Sequence, residues 1–181
     1  MSLAHALLVS LVTEPKSGYD IAKQFDGSVG FFWQATHQQI YRELTKLEQQ
    51  NWISSEVIAQ DSRPDKKVFS VTAVGLTELT TWLKHATDPA TVKDEFLLKV
   101  YAGHLVDKTI ITTQIQQQRQ IHAQQLQTYQ VIEQHFFPNL DDCNYASRFA
   151  YLTLRRGIAF EQSWVSWCDE ALALLADWTK P

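Results

Sequence analysis

Between positions 35 and 50 the chain carries side chains suited to reading a nucleic acid. At about 100° per residue, Ile40, Leu44 and Leu47 fall in one narrow stripe, while Gln38, Tyr41, Arg42, Thr45 and Gln49 fall on the opposite side. Amide, hydroxyl and guanidinium groups can hydrogen-bond to base edges and phosphates, whereas a face made only for water more often carries Glu and Lys. Further along, Arg63, Lys66 and Lys67 surround a Pro64-Asp65 turn signal, a basic tip able to release counterions from phosphate. Each feature has a plainer reading: Tyr41 packing on its own domain, Arg42 paired with Glu43 or Glu48, and the tip a solvated turn. Bond-making chemistry has no comparable footing. There is no Gly-rich phosphate loop, HExxH pair or nucleophile elbow, and His5, His37, His85, His104, His122 and His135 show no ligand spacing. Neither an enzyme, a metal site nor a cofactor is expected.

The elements that must position these residues can be read in order. Leu3, Leu7, Leu8, Leu11 and Val12 mark a first helix over 2–12 that stops before Glu14-Pro15. Ser17 is the expected N-cap of a shorter helix running toward Gly27. A loop follows, with Phe31, Phe32 and Trp33 tucked against the core, and then the helix over 35–50. Strands are expected at 52–58 and 68–71, flanking the basic turn. Thr72 then caps a helix with Leu76, Leu79, Trp82 and Leu83 inward. This is the order of a winged helix-turn-helix, so the fold expected is mainly α with a small β-wing.

A short polar stretch, Ala86-Thr87-Asp88-Pro89-Ala90, separates two textures of sequence and divides the chain into domains 1–86 and 91–181. The second domain should hold a long helix over 107–136. In it Ile111, Ile115, Gln118, His122, Gln125, Tyr129, Ile132 and Phe136 form a heptad seam that needs another helix, with polar middle positions to set register. His122 is expected there as a register residue or bonded to Gln118 or Gln125. The last helix, over 145–177, is apolar on two faces. Tyr151, Leu154, Ile158, Val165, Leu172 and Leu175 form one; Phe149, Phe160, Trp164 and Trp167 lie nearly opposite. One face can pack within the chain, and a second chain covering the other gives a homodimer. Core packing within a monomer is the rival reading for the aromatics.

The composition is ordinary: 181 residues, 45% hydrophobic, 16 Lys+Arg against 20 Asp+Glu, a formal charge of −4 and a pI near 5.8. It excludes disordered, collagen-like and disulfide-scaffold classes. No apolar run approaches the roughly 20 residues needed to span a bilayer, and Cys143 and Cys168 form no CxxC pair, so no membrane partner and a reducing cytoplasm are expected. Net charge alone argues against nucleic acid, but it is a whole-chain average. Arg42, Lys46, Arg63, Lys66 and Lys67 gather on the helix and tip that matter. Weak non-specific binding and a strong dependence on salt and on paired half-sites are the expected consequence.

In Ser17-Gly18-Tyr19-Asp20-Ile21, in Gln39-Ile40-Tyr41-Arg42-Glu43-Leu44 with Leu47-Glu48, and in Arg63-Pro64 with Lys67-Val68-Phe69-Ser70-Val71-Thr72 and Gly75, the chain resembles the PadR family of bacterial winged-helix regulators. Asp94-Glu95-Phe96-Leu97-Leu98-Lys99 and the stretch from Arg155-Arg156-Gly157-Ile158 to Trp167 resemble the helical C-terminal domain shared with virulence activators. The resemblance implies a homodimeric, sequence-specific repressor of double-stranded operator DNA, cytoplasmic and nucleoid-associated when bound. It implies DNA contacts from Ser17, Gly18 and Tyr19 at a phosphate, from His37, Gln38, Tyr41, Arg42, Thr45 and Lys46 at the major groove, and from Arg63, Lys66 and Lys67 at the minor groove. It also implies release by a phenolic or hydrophobic effector, with Trp33, Phe96, His104, Arg155, Trp164 and Trp167 as candidate contacts and Arg156 as a further cation. The rival functional reading is a non-catalytic interaction module that uses the winged helix as a scaffold without touching DNA.

Overall fold

A computed structural model of the chain describes residues 3–25, 33–59, 65–89, 91 and 93–178. Expectations for Phe31, Phe32, Arg63 and Pro64 lie outside them. The chain forms two compact units, Met1–Ala90 and Thr91–Pro181.

The first unit runs α1 (Leu3–Leu11), β1 (Lys16–Ser17), α2 (Gly18–Phe25), α3 (His37–Gln49), β2 (Ile53–Ile58), β3 (Lys66–Val71) and α4 (Ala73–Leu83). The three strands form one antiparallel sheet in the order β1-β3-β2. β2 and β3 pair from Ile53↔Val71 to Ile58↔Lys66, and β1 adds Lys16↔Phe69 and Ser17↔Val68 on the far side of β3. The two-residue β1 is too short to carry a period-2 signature, and sequence patterning does not reveal it. Leu7, Leu8 and Leu11 of α1, Ile21 and Phe25 of α2, Ile40, Leu44 and Leu47 of α3, Ile53, Phe69 and Leu79 make a single core. Asn51, at φ 58°, turns the chain out of α3 toward β2, a conformation Asn tolerates better than most residues.

α4 departs from expectation. Leu79 is buried and Trp82 packs on the core, but Leu76 and Leu83 are exposed at 48% and 63%. Gly75 explains the rotation. A Cβ there would lie 2.0 Å from the Trp52 carbonyl oxygen, so α4 approaches the β2 entrance along Gly75, Leu79 and Trp82, and Leu76 and Leu83 turn outward. Thr72 holds the junction: its hydroxyl accepts from the Gly75 N–H at 3.1 Å and donates to the Trp52 carbonyl at 3.1 Å.

The second unit runs α5 (Glu95–Tyr101), a 3-10 turn (Gly103–Leu105), α6 (Lys108–Phe136), a second 3-10 turn (Leu140–Asp142) and α7 (Tyr145–Asp177). Asp94, Asp107 and Asn144 cap the three helices through side-chain oxygens. α6 and α7 lie antiparallel. Lys108 donates to the carbonyls of Leu175 and Trp178 at one end, and the Tyr151 hydroxyl and Arg155 bind Glu133 at the other. Ile111, Ile115 and Cys168 are buried with Phe96, Trp164, Trp167 and Leu172 around them; Leu126, Tyr129 and Ile158 form a second cluster with Ile132, Leu154 and Val165.

The seam of α6 therefore meets α7 of the same chain along most of its length. His122 bonds neither Gln118 nor Gln125 as expected: its Nδ1 lies 2.5 Å from Glu161 Oε2, and its ring stacks on Trp164 at 4.5 Å. Phe136, the last seam position, is 64% exposed. The two faces of α7 are also less separate than expected. Trp164 and Trp167 pack inside the unit, leaving Phe149 and Phe160 as the exposed members of that aromatic set.

Candidate nucleic-acid interface

α3 starts where its cap dictates. Thr36 Oγ1 accepts from the Gln39 N–H at 3.2 Å, and Gln39 Oε1 accepts from the Thr36 N–H at 2.9 Å, a reciprocal box that sets His37 as the first helical residue. From that start Ile40, Leu44 and Leu47 turn fully inward. His37, Gln38, Tyr41, Arg42, Thr45, Lys46 and Gln49 turn to solvent.

Tyr41 has a fixed seat. A Cβ at Gly18 would lie 2.5 Å from its Cε1, so the ring rests on the first residue of α2, yet 47% of the residue stays exposed. The plain reading of Tyr41 as a side chain packed on its own domain is met, and that packing fixes which part of the ring stays exposed. Thr45 donates its hydroxyl to the Tyr41 carbonyl at 3.1 Å. Ser17, Gly18, Tyr19, Tyr41, Thr45, Lys66 and Lys67 line one shallow cleft between the start of α2, α3 and the wing strand β3.

The electrostatics of this surface differ from those of a simple basic patch. Lys66 Nζ lies 3.0 Å from Asp20 Oδ2 of α2, and Lys67 Nζ lies 2.8 Å from Glu48 Oε2 of α3. Lys46 lies 3.4 Å from Glu43, one turn back on its own helix. Asp20 also accepts from the Ser17 hydroxyl at 2.7 Å, and Glu48 also accepts from the Ser55 hydroxyl. The Ser17 hydroxyl first and Lys66 second hold the Asp20 carboxyl below its usual range. Lys67 first and Ser55 second do the same for Glu48. Arg42 pairs with neither Glu43 nor Glu48 and has no ion-pair partner among the described residues. Ser17 and Tyr19 stand at the helix start as expected, but the Ser17 hydroxyl is already engaged.

Asp20 is the participant in this surface that the sequence does not disclose, and Glu48, a candidate partner for Arg42, holds Lys67 instead. The Glu43–Lys46 pair has a helical i,i+3 spacing that could have been found. The pairing of Asp20 with Lys66 is visible only once β3 lies beside α2.

The residues considered for an effector are drawn from both units. Phe96, Trp164 and Trp167 meet, with ring centroids 5.6–6.1 Å apart. Trp33 packs against the core of the first unit. His104 is exposed in the Gly103–Leu105 turn. Arg155 Nη1 is held 3.0 Å from Glu133, which also accepts from the Tyr151 hydroxyl. Among the described residues no helix is long and apolar enough to cross a membrane.

Residues 7–81 match the Transcriptional regulator PadR-like family, and residues 92–176 match the Virulence activator alpha C-term domain. A probable transcriptional regulator of Mycobacterium tuberculosis is 36% identical, covering 98% of this chain and 99% of its own. The negative transcriptional regulator PadR of Bacillus subtilis is 33% identical, over 96% of this chain and 97% of its own. The crystal structure of Bacillus subtilis PadR in complex with operator DNA superposes with a TM-score of 0.86 at 31% identity, covering 95% of this chain and 97% of that one. The Vibrio cholerae virulence activator AphA gives a TM-score of 0.78 at 35% identity, covering 97% and 98%. Bacillus subtilis PadR in complex with p-coumaric acid gives 0.78 at 30% identity, covering 97% and 96%. With relatives matched along nearly their whole length, and a DNA-binding winged helix as its first unit, the chain belongs to the PadR-like family of transcriptional regulators.

Proposed function

We propose that the protein is a homodimeric repressor that reads operator DNA with the exposed face of α3 and lets go of it when a small aromatic effector binds. The observation that carries the DNA reading is the state of that face: Tyr41 seated by Gly18 and half exposed, beside Arg42, which no described carboxylate neutralises. A guanidinium on a major-groove helix suits the O6/N7 edge of guanine, worth about 1–3 kcal/mol of discrimination. His37, Gln38 and Thr45 flank it, Lys46 lies beside a phosphate strand, and Ser17, Gly18 and Tyr19 meet the backbone at the start of α2. Lys66 and Lys67, with Arg63, follow the minor groove.

Dimerisation is supported by apolar side chains that the second unit leaves uncovered. Leu98, Tyr101 and Leu105 are exposed at 69%, 88% and 75%, and Phe149, Leu152 and Phe160 add an exposed stripe on α7. Covering a few of these at about 1.5–3 kcal/mol each is enough for a stable pair. The effector reading draws on the p-coumaric acid complex of Bacillus subtilis PadR. In this chain Phe96, Trp164 and Trp167 offer aromatic walls. His104 or Arg155 would take a carboxylate, Arg155 by leaving Glu133. An inducer of this kind must bind the DNA-incompetent arrangement more tightly than the competent one.

The test pairs two measurements on the full chain. Tyr41→Ala/Arg42→Ala should remain dimeric by sedimentation while losing binding to the DNA upstream of its own gene. Retained binding would refute the assigned interface, and a 21 kDa monomer at micromolar concentration would refute the dimer.

A further inference from the structure

The wing lysines are held back. On the surface assigned to DNA, Arg42, Lys46, Lys66 and Lys67 are interleaved with Asp20, Glu43, Glu48 and Asp65. The ion pairs of Lys66 and Lys67 are not casual neighbours on one helix. Each joins the wing strand β3 to a different helix, α2 or α3, at 3.0 and 2.8 Å. Each carboxylate is itself oriented by a hydroxyl, Ser17 for Asp20 and Ser55 for Glu48, and Lys67 also sits 5.1 Å from the centre of the Phe69 ring. A carboxylate oriented in this way offers a lysine what a phosphate offers, an anionic oxygen at hydrogen-bond distance.

We propose that Asp20 and Glu48 form an intramolecular latch on the wing: they occupy Lys66 and Lys67 in the free protein, so that phosphate contact at the wing requires displacing a carboxylate of the same domain. This rests on the assignment of α3 and the wing to DNA. Each phosphate contact at the wing must first break an exposed ion pair, which offsets part of its gain. Of the four described cations named on this surface, Arg42 is the one with no ion-pair partner among the described residues. Attachment that rests on the wing alone is weakened, and useful affinity comes to depend on the base contacts of α3, which suits a regulator that must find few sites among many competing ones.

The experiment measures binding of the full-length protein to a random-sequence 30-base-pair duplex and to a duplex selected from a random pool, across salt concentrations. Asp20→Asn and Glu48→Gln keep an acceptor for the serine hydroxyls but release the lysines. Each freed lysine that reaches a phosphate should steepen the log–log salt slope by about 0.9 and raise random-duplex affinity about eightfold at 0.1 M salt. Selected-duplex affinity should rise by a similar factor, because the same lysines meet phosphate there. Adding Lys66→Met to Asp20→Asn should abolish the gain. Unchanged or weaker random-duplex binding in both variants would overturn the proposal, as would a gain that survives Lys66→Met, since that would be simple loss of negative charge. Arg42→Ala, run in parallel, separates the two ideas. If it abolishes selection while the carboxylate variants change nothing, the latch alone fails; if it leaves selected-duplex binding intact, the interface assignment itself fails.

Discussion

Replacing Gly18 with alanine should separate DNA binding from stability. The new Cβ would stand 2.5 Å from Tyr41 Cε1, 3.0 Å from Cζ and 3.2 Å from the hydroxyl oxygen. Carbon atoms rest at about 3.5–4.0 Å, so the ring must withdraw by about 1 Å or more. It can do so at small cost, because nearly half of Tyr41 already faces water. The folded state should therefore change by less than about 1 kcal/mol, while the phenol leaves the position set for DNA. A lost major-groove contact is worth about 1–3 kcal/mol, or roughly 5- to 150-fold per half-site. Thermal melting and fluorescence-anisotropy titration of the same preparation measure both quantities. Gly18→Ala should melt close to the wild type and bind the selected duplex at least tenfold more weakly. Unchanged binding would refute the claim that Gly18 aims Tyr41 at DNA.

Gly75→Ala should behave in the opposite way. Its Cβ meets backbone, the Trp52 carbonyl at 2.0 Å, which cannot rotate aside, so a loss of about 1–3 kcal/mol is expected, read as a fall in melting temperature. A variant as stable as the wild type would show that the α4–β2 approach is not tight. Cys168 is fully buried, and burial pushes its thiol pKa up. A thiol reagent should therefore modify Cys143 in the native protein and reach Cys168 only on unfolding; two equally fast thiols would contradict this. The Asp20 and Glu48 carboxyls lie below their usual range in the folded chain, so the stability they add is present above the unfolded carboxylate range near pH 4 and is lost as pH falls through their lower folded values. The melting difference between wild type and Asp20→Asn/Glu48→Gln should accordingly vanish on acidification, and a difference that persists at pH 2 would exclude the carboxylate charge as its source.

The architecture was legible wherever one residue type dominates a local choice. The Ile40-Leu44-Leu47 stripe places the core face of α3, Thr72 caps α4, and the last helix spans 145–177 as its apolar content predicts. Reading failed where a distant backbone decides. The face of α4 depends on how closely Gly75 can approach Trp52, a contact that helical periodicity does not contain. The heptad seam of α6 implied a partner helix without saying which. α7 of the same chain supplies it, and His122 meets Glu161 and Trp164 there. At the candidate interface the outward residues of α3 were readable from their spacing. That Lys66 and Lys67 are already engaged by Asp20 and Glu48 was not, since a charge count gives no geometry. The low net charge thus has a local counterpart: on this surface most described cations carry their own counter-anion.

The most direct test of the central claim is the sequence preference of the protein and its Arg42→Ala variant, each used to select binding sites from a random duplex pool at fixed salt. The wild type should recover a two-fold-symmetric site with half-sites about one helical turn, or a multiple of it, apart. Arg42→Ala should lose preference at one G·C pair in each half-site, by about 1–3 kcal/mol, and keep the remainder of the site. Identical preferences for the two proteins would contradict the assignment of α3 as the reading helix.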